Sequence, residues 1–241
     1  MFIGCIIFII NFELFLENPY KRLKNEIKNS LNFFHFNNKI TRKVCKLERI
    51  FSLPYNATVI IGHAYGSKKR DNGYISSNVE DFLIHNAKKI KMVIFTGDVF
   101  LNPSLRKWEK LKDQFGEEFK IIIAPGNHDV GLGNIDNSMR EAFEKSSFSR
   151  NLYPYLLKES NANLIIEDSN INFGDIQDGL INLINKIPED SKIFVLRHHI
   201  PIVELSSYSN IKIKDSFNNF NNLKAQTNRE VTFISGDSGQ K

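Results

Sequence analysis

Three isoleucines, Ile121 to Ile123, run into Ala124-Pro125-Gly126 and then deliver Asn127, His128 and Asp129 side by side. Isoleucines halted by Pro-Gly read as a buried strand ending in a tight loop. Loops at the C-terminal edge of strands are where open α/β sheets collect their ligands. An amide, an imidazole and a carboxylate in one loop suit metal coordination or acid-base chemistry. Asn and Asp are also ordinary turn residues that bond to the nearby backbone. The functional reading gains weight because the same grammar recurs. Apolar runs precede Gly97-Asp98, His198-His199 and Gly236-Asp237.

The elements that must position these loops can be read from the hydrophobic pattern. Beyond Asn56 the chain predicts a strand at Thr58 to Ile61, a helix at Ser77 to Ile90, a strand at Met92 to Thr96, a helix at Ser104 to Phe115 and a strand at Phe119 to Ala124. Such alternation argues for a sheet with helices on its faces. Ser138 to Lys145 reads as a short helix, Leu164 to Phe173 as a hairpin, Asp175 to Lys186 as a helix and Lys192 to Leu196 as a further strand. Ser206 to Asn228, rich in Asn, Ser and Lys, reads as a long surface loop.

The 241 residues are 41% hydrophobic, which allows one domain with a sizeable core plus an appendage. The net charge of +5 is local, since residues 21–49 hold nine Lys and Arg against Glu26 and Glu48 and the rest is balanced. Neither a basic-aromatic surface pattern nor a glycine-rich nucleotide fingerprint is present, so no nucleic-acid partner is expected. Cys5 and Cys45 are the only cysteines, which excludes a disulfide framework and a thiolate metal site. Any metal must use nitrogen and oxygen ligands. Residues 1–19 are expected to form a membrane anchor, residues 20–56 a basic helical linker, and residues 57–241 the globular domain. A buried or partner-packed helix is the alternative for the apolar start. With basic residues beside it, an anchored chain would associate with anionic membrane and face the cytoplasm.

Taken in order, Gly97-Asp98, Gly126-Asn127-His128-Asp129, His198-His199-Ile200-Pro201 and Gly236-Asp237 resemble the motif set of the calcineurin-like metallophosphoesterases, over about Ala57 to Asp237. The resemblance implies an α/β fold, a β-sandwich flanked by helices, and a metal-dependent hydrolase of phosphate monoesters or diesters that uses a metal-activated water. It implies that Asp98 bridges two metals, and that Asn127 and His199 bind the second. His128, held by Asp129, would contact the phosphate or protonate the leaving oxygen. The family's His-x-Pro pattern selects His199 as ligand and leaves His198 behind it. The expected cofactor is a divalent Mn, Fe or Zn ion, and the expected partner is a phosphate-ester substrate.

This chain departs from the pattern at both ends. Where the family has Asp-x-His it has His63-Ala64-Tyr65, and where the family has Gly-His-x-His it has Gly236-Asp237-Ser238-Gly239. The second metal would keep Asp98, Asn127, His199 and Asp237. The first would keep Asp98 and His63 with a phenol, and tyrosine is a poor ligand until it is deprotonated. One firm metal and one weak or absent metal are therefore expected, with Tyr65 free to donate to a phosphoryl oxygen. The alternative is a catalytically inactive phosphoesterase fold that serves as a binding or scaffold module. Family members usually continue past the last motif, so a trimmed fold or a fragment is also expected.

Overall fold

The computed structural model describes residues 7–10, 53–66, 73–131, 137–150, 152–159, 162–201, 218–227 and 229–237. Two four-stranded sheets carry the architecture. The first holds β1 (Ile7–Ile10), β2 (Ala57–Ile61), β3 (Ile90–Phe95) and β4 (Lys120–Ile123) in that spatial order. The second holds β5 (Tyr155–Glu159), β6 (Ala162–Ile166), β7 (Ile193–Arg197) and β8 (Val231–Ser235), again in order.

Helices α1 (Ser77–Asn86) and α2 (Leu105–Phe115) cross between strands of the first sheet, and such crossovers make β2, β3 and β4 parallel. Val59 pairs with Val93, and Val93 with Ile121. In the second sheet β6, β7 and β8 are likewise parallel, with Ile165 beside Val195 and Val195 beside Phe233. The crossovers there are made by α5 (Gly179–Asn185) and α6 (Asn218–Thr227). Between β4 and β5 lie two further short helices, α3 (Asn127–Val130) and α4 (Asn137–Glu144).

Alternation along the strands sorts the apolar side chains into layers. Ile60, Ile94 and Ile122 of the first sheet pack with Leu164, Ile166 and Leu196 of the second. Val59, Ile61, Val93, Phe95, Ile121 and Ile123 point the other way, onto Val79, Leu83, Trp108 and Leu111 of α1 and α2. On the far side of the second sheet Ile165, Ile193 and Val195 pack with Leu180, Ile184 and Leu223 of α5 and α6. The layers are helix, sheet, sheet, helix, a sandwich flanked by helices.

Several expectations need correction. Within the 1–19 segment expected as a membrane anchor, Ile7–Ile10 form β1, paired antiparallel to β2 with Ile7 opposite Ile61. Four β-branched or aromatic residues can complete a sheet edge as well as they can enter a bilayer, and hydropathy does not separate the two. Among the described residues no helix is long and apolar enough to cross a membrane. The remainder of the 1–19 segment and most of the 20–56 linker lie outside the described residues.

The first helix ends at Asn86, and a single 3-10 turn, Ala87–Lys89, hands the chain to β3 at Ile90. The hairpin is β5 with β6, earlier than Leu164 to Phe173, and the residues just after Ile166 form a buried loop. Inside the expected surface loop lies α6, because Leu223 is covered and Phe220 packs edge-on to Phe233 of β8 at 5.5 Å. Two apolar residues three apart among polar ones are enough to hold a helix once a sheet supplies their partner.

Candidate metal and phosphate site

Six parallel strands end at one place. The chain leaves β2 into Gly62-His63, β3 into Gly97-Asp98, β4 into Gly126-Asn127, β6 into Asp168-Ser169, β7 into His198-His199 and β8 into Gly236-Asp237. Close approach of these loops depends on missing side chains. A Cβ on Gly97, whose φ is +91°, would stand 2.4 Å from the His198 ring and 2.7 Å from Gly126 Cα. One on Gly236 would stand 1.9 Å from the Thr96 carbonyl oxygen, which is how tightly the last loop of one sheet meets the other. His63 and Asp98 themselves take φ of 52° and 57°, a left-handed backbone that non-glycine residues adopt at a cost of about 1 kcal/mol or more.

Asp98 is the centre. Its carboxylate is buried and lies 3.3 Å from His63 Nδ1 through Oδ2 and 3.3 Å from His198 Nε2 through Oδ1. Oδ1 also accepts the His128 backbone N–H at 3.1 Å. His63 Nε2 lies 3.7 Å from Asp237 Oδ1, so this ring stands between two carboxylates. Burial alone would lower the His63 pKa, but Asp237, Asp98 and Asp129 outweigh it and the net shift is upward.

Four more rings surround the carboxylate. Tyr65 meets His63 edge-on at 5.6 Å and His128 at 5.5 Å; His198 lies 5.5 Å from His63 and 4.9 Å from His199. Burial, and then the charges of Asp98, Asp237 and Asp129, hold the Tyr65 phenol well above its ordinary pKa. Burial and the surrounding carboxylates thus favour the neutral phenol, which can donate a hydrogen bond.

The two histidines of the pair face different partners. His198 is fully buried, and its Nδ1 faces the Thr96 carbonyl at 3.0 Å. A carbonyl only accepts, so Nδ1 carries the ring proton, and burial keeps the imidazole neutral by lowering its pKa. Nε2 is then a bare lone pair, aimed at Asp98 Oδ1 and at Asn127 Oδ1 3.1 Å away. His199 sits beside it with Nδ1 2.9 Å from the Ser169 hydroxyl, and burial followed by His198 takes its pKa down to about 4.

Asp129 has another occupation than holding His128. Its Oδ2 accepts the N–H of Gly126 at 2.9 Å, three residues back, as the third residue of a helix does in closing its own N-terminus. Oδ1 accepts Val99 N–H at 3.0 Å and Phe100 N–H at 3.4 Å. Burial and the charge of Asp98 push its pKa up to about 7 against these three donors. His128 instead places Nδ1 3.2 Å from the Leu101 carbonyl, which leaves Nε2 as the ring position that can take or give a proton.

The arrangement fits a cation. Nε2 of His198, the Asn127 amide oxygen and Asp98 Oδ1 are acceptors that converge without a proton to share. Asn127 can turn its amide to donate, but a carboxylate has no such alternative. Among the described residues, two groups offer ligand atoms within 4.8 Å of one another: His63, Asp98 and His198, and His198, His199 and Asp237. His198 belongs to both. Gly239, which stands at the family's last histidine, lies outside the described residues.

Sequence reasoning missed the groups behind the ligands. Thr96 contributes a carbonyl and Leu101 another, and a backbone contribution leaves no trace in residue type. Ser169, Asn170, Glu167 and Arg197 are all buried around the second sheet's loops. An isolated signal existed in the run Glu167-Asp168-Ser169-Asn170 directly after an apolar strand, the same grammar that marked the motif loops.

The family model for calcineurin-like phosphoesterases matches residues 63–237. No curated protein matches the chain. Among solved structures, one similar chain is the purple acid phosphatase PPD1 isolated from yellow lupin (Lupinus luteus) seeds, with a TM-score of 0.48 and 12% sequence identity. That match covers 73% of this chain and 37% of the lupin chain.

Proposed function

Because the chain belongs to the calcineurin-like phosphoesterase family, we propose that it hydrolyses phosphate esters with one divalent cation held by Asp98, Asn127 and His198, completed by His199 and Asp237. The observation that carries this reading is the placement of His198, whose Nδ1 faces the Thr96 carbonyl while its Nε2 faces Asp98 and Asn127. Such a cation polarises a phosphoryl oxygen and makes a water nucleophilic near neutral pH. Thr96 orients His198 through Nδ1, as the partner of a ligating histidine should. His128, fixed through Nδ1 to Leu101, presents Nε2 for proton delivery to the leaving oxygen. Tyr65 supplies a neutral hydroxyl to a phosphoryl oxygen. His63, between Asp98 and Asp237, takes up the charge that a second cation would otherwise balance.

The test is metal content with turnover. Full-length protein dialysed against Mn(II) or Zn(II) should retain about one ion per chain and hydrolyse nitrophenyl phosphate mono- or diesters. Asp98→Ala should lose both. His128→Ala should keep the ion and lose roughly 10² to 10⁴ in kcat, least for the best leaving groups. Two firmly held ions would sink the single-ion reading. A metal-loaded chain inert on every ester would leave a binding module, the reading favoured by the replacement of the family's first ligands with His63 and Tyr65.

A further inference from the structure

The loop after β6 is the most unusual segment outside the motifs. Glu167, Asp168, Ser169 and Asn170 are all buried, in a position where surface loops normally keep their polar groups in water. Each side chain is committed to a different part of the site's framework. Glu167 pairs with the buried Arg197 at 3.3 Å, and Arg197 Nη2 donates to the carbonyls of Gly174 at 2.7 Å and Asp175 at 2.9 Å. Asp168 Oδ2 accepts from Arg140 of α4 at 3.0 Å, while Oδ1 accepts the Asn170 N–H at 3.0 Å. Asn170 Nδ2 donates to the Pro125 carbonyl at 2.8 Å, two residues before Asn127. The loop therefore ties the first sheet's Pro125-to-Asn127 turn to the second sheet's Arg197-to-His199 turn.

Ser169 sits in the middle of this frame and spends its hydroxyl on a single residue. Oγ accepts the His199 backbone N–H at 3.1 Å and lies 2.9 Å from His199 Nδ1. A serine oxygen has two lone pairs, so it can accept both N–H groups at once. That arrangement leaves His199 Nε2 without a proton and able to bind a cation. If the hydroxyl donates instead, Nδ1 becomes the acceptor and Nε2 carries the proton. The carbonyl facing His198 offers no such choice.

We infer that Ser169 is a positioning residue for His199: it holds the ring in place from two directions and lets it adopt the ligand tautomer when a cation is present. The inference rests on the proposed single-cation site. A loop that served only to cover the end of the second sheet would need no hydroxyl aimed at a histidine ring. Here both contacts of the Ser169 hydroxyl go to His199, while the loop is closed by the Ser169 carbonyl, which accepts the Gly174 N–H at 2.9 Å, and by the side chains of its neighbours. Partners of ligating histidines are worth about 10- to 100-fold in metal affinity.

The experiment is a Co(II) titration of the full chain, monitored by visible absorption. Ser169→Ala should raise the Co(II) Kd by about 10- to 100-fold and alter the cobalt spectrum. Ser169→Thr, which retains the hydroxyl, should restore both. Ser169→Cys keeps the volume but offers a weak acceptor, and should resemble Ser169→Ala; it serves as the test if the alanine variant does not fold. Wild-type affinity in Ser169→Ala or Ser169→Cys overturns the inference, as does a loss that Ser169→Thr fails to restore. A wild-type chain that binds no Co(II) overturns the proposed function and this inference together, whereas wild-type binding with an unaffected Ser169→Ala removes only the inference.

Discussion

At the ends of β2, β3 and β4 the chain enters the site through glycine-bearing turns, whereas beyond β6 and β7 it is held by buried polar and charged side chains. On the first side, Gly62, Gly97 and Gly126 let backbones meet, and the polar residues between them face the site directly. On the second, Glu167 pairs with Arg197, Asp168 pairs with Arg140, and Asn170 and Arg197 donate to carbonyls, while His198 and His199 turn toward Asp98 and Asp237. One side obtains its geometry from what is absent, the other from paired charges. The two should therefore fail in different ways when altered.

The largest effect is expected from Arg197→Met. It strips the counter-charge from Glu167, which is fully buried, and breaking a buried pair from one side costs about 3 to 5 kcal/mol. Denaturant unfolding should show that loss near neutral pH. Replacing Glu167 by Gln in the same chain should return part of it, because no lone charge remains. Burial raises the Glu167 pKa in spite of Arg197. A carboxyl with a raised folded pKa favours the folded state below its unfolded pKa and loses that contribution as pH rises through the folded value, so the Arg197→Met deficit should shrink toward acid pH. A deficit no larger than that of an exposed arginine would mean that the second side is not held by charge at all.

Gly97→Ala probes the other side, where space and backbone angle are both at stake. The added Cβ meets the His198 ring at 2.4 Å at a φ of +91°, and about 2 to 3 kcal/mol should be lost. Metal affinity should fall with it, since His198 must shift. Unchanged Co(II) binding in a folded Gly97→Ala chain would break the claim that the two sides meet through this contact.

The smallest effect belongs to Tyr65→Phe. Its phenol is neutral, so removing it deletes one hydrogen bond worth about 0.5 to 1.5 kcal/mol and should raise KM by roughly 2- to 13-fold. Metal stoichiometry should not change. A change in stoichiometry would make Tyr65 a ligand and give the first side a second cation.

Much of the first side was legible because its elements are local. Ile121 to Ile123 before Pro125-Gly126 predicts strand and turn from neighbouring residues alone, and β4 lies where the pattern places it, although the loop after it closes into the short helix α3. The same holds for α2, whose Trp108, Leu111 and Phe115 recur at helical spacing and are all buried. Asp129 was harder, because a carboxylate beside a histidine invites an acid-base pairing. The helix turn carries it instead to the N–H of Gly126, and only the path of the backbone reveals that.

By itself the sequence determined the strand-then-loop order, the family's central motif and the departure at His63 and Tyr65, since each is a property of residues close together in the chain. Which histidine of the pair faces Asp98, whether Ile7–Ile10 completes a sheet, and what holds His199 were decided by tertiary structure. These depend on contacts such as Thr96 with His198, β1 with β2, and Ser169 with His199. A carbonyl, a strand edge and a hydroxyl acquire their roles only when a partner distant in sequence arrives at bonding distance, and no local pattern records that arrival.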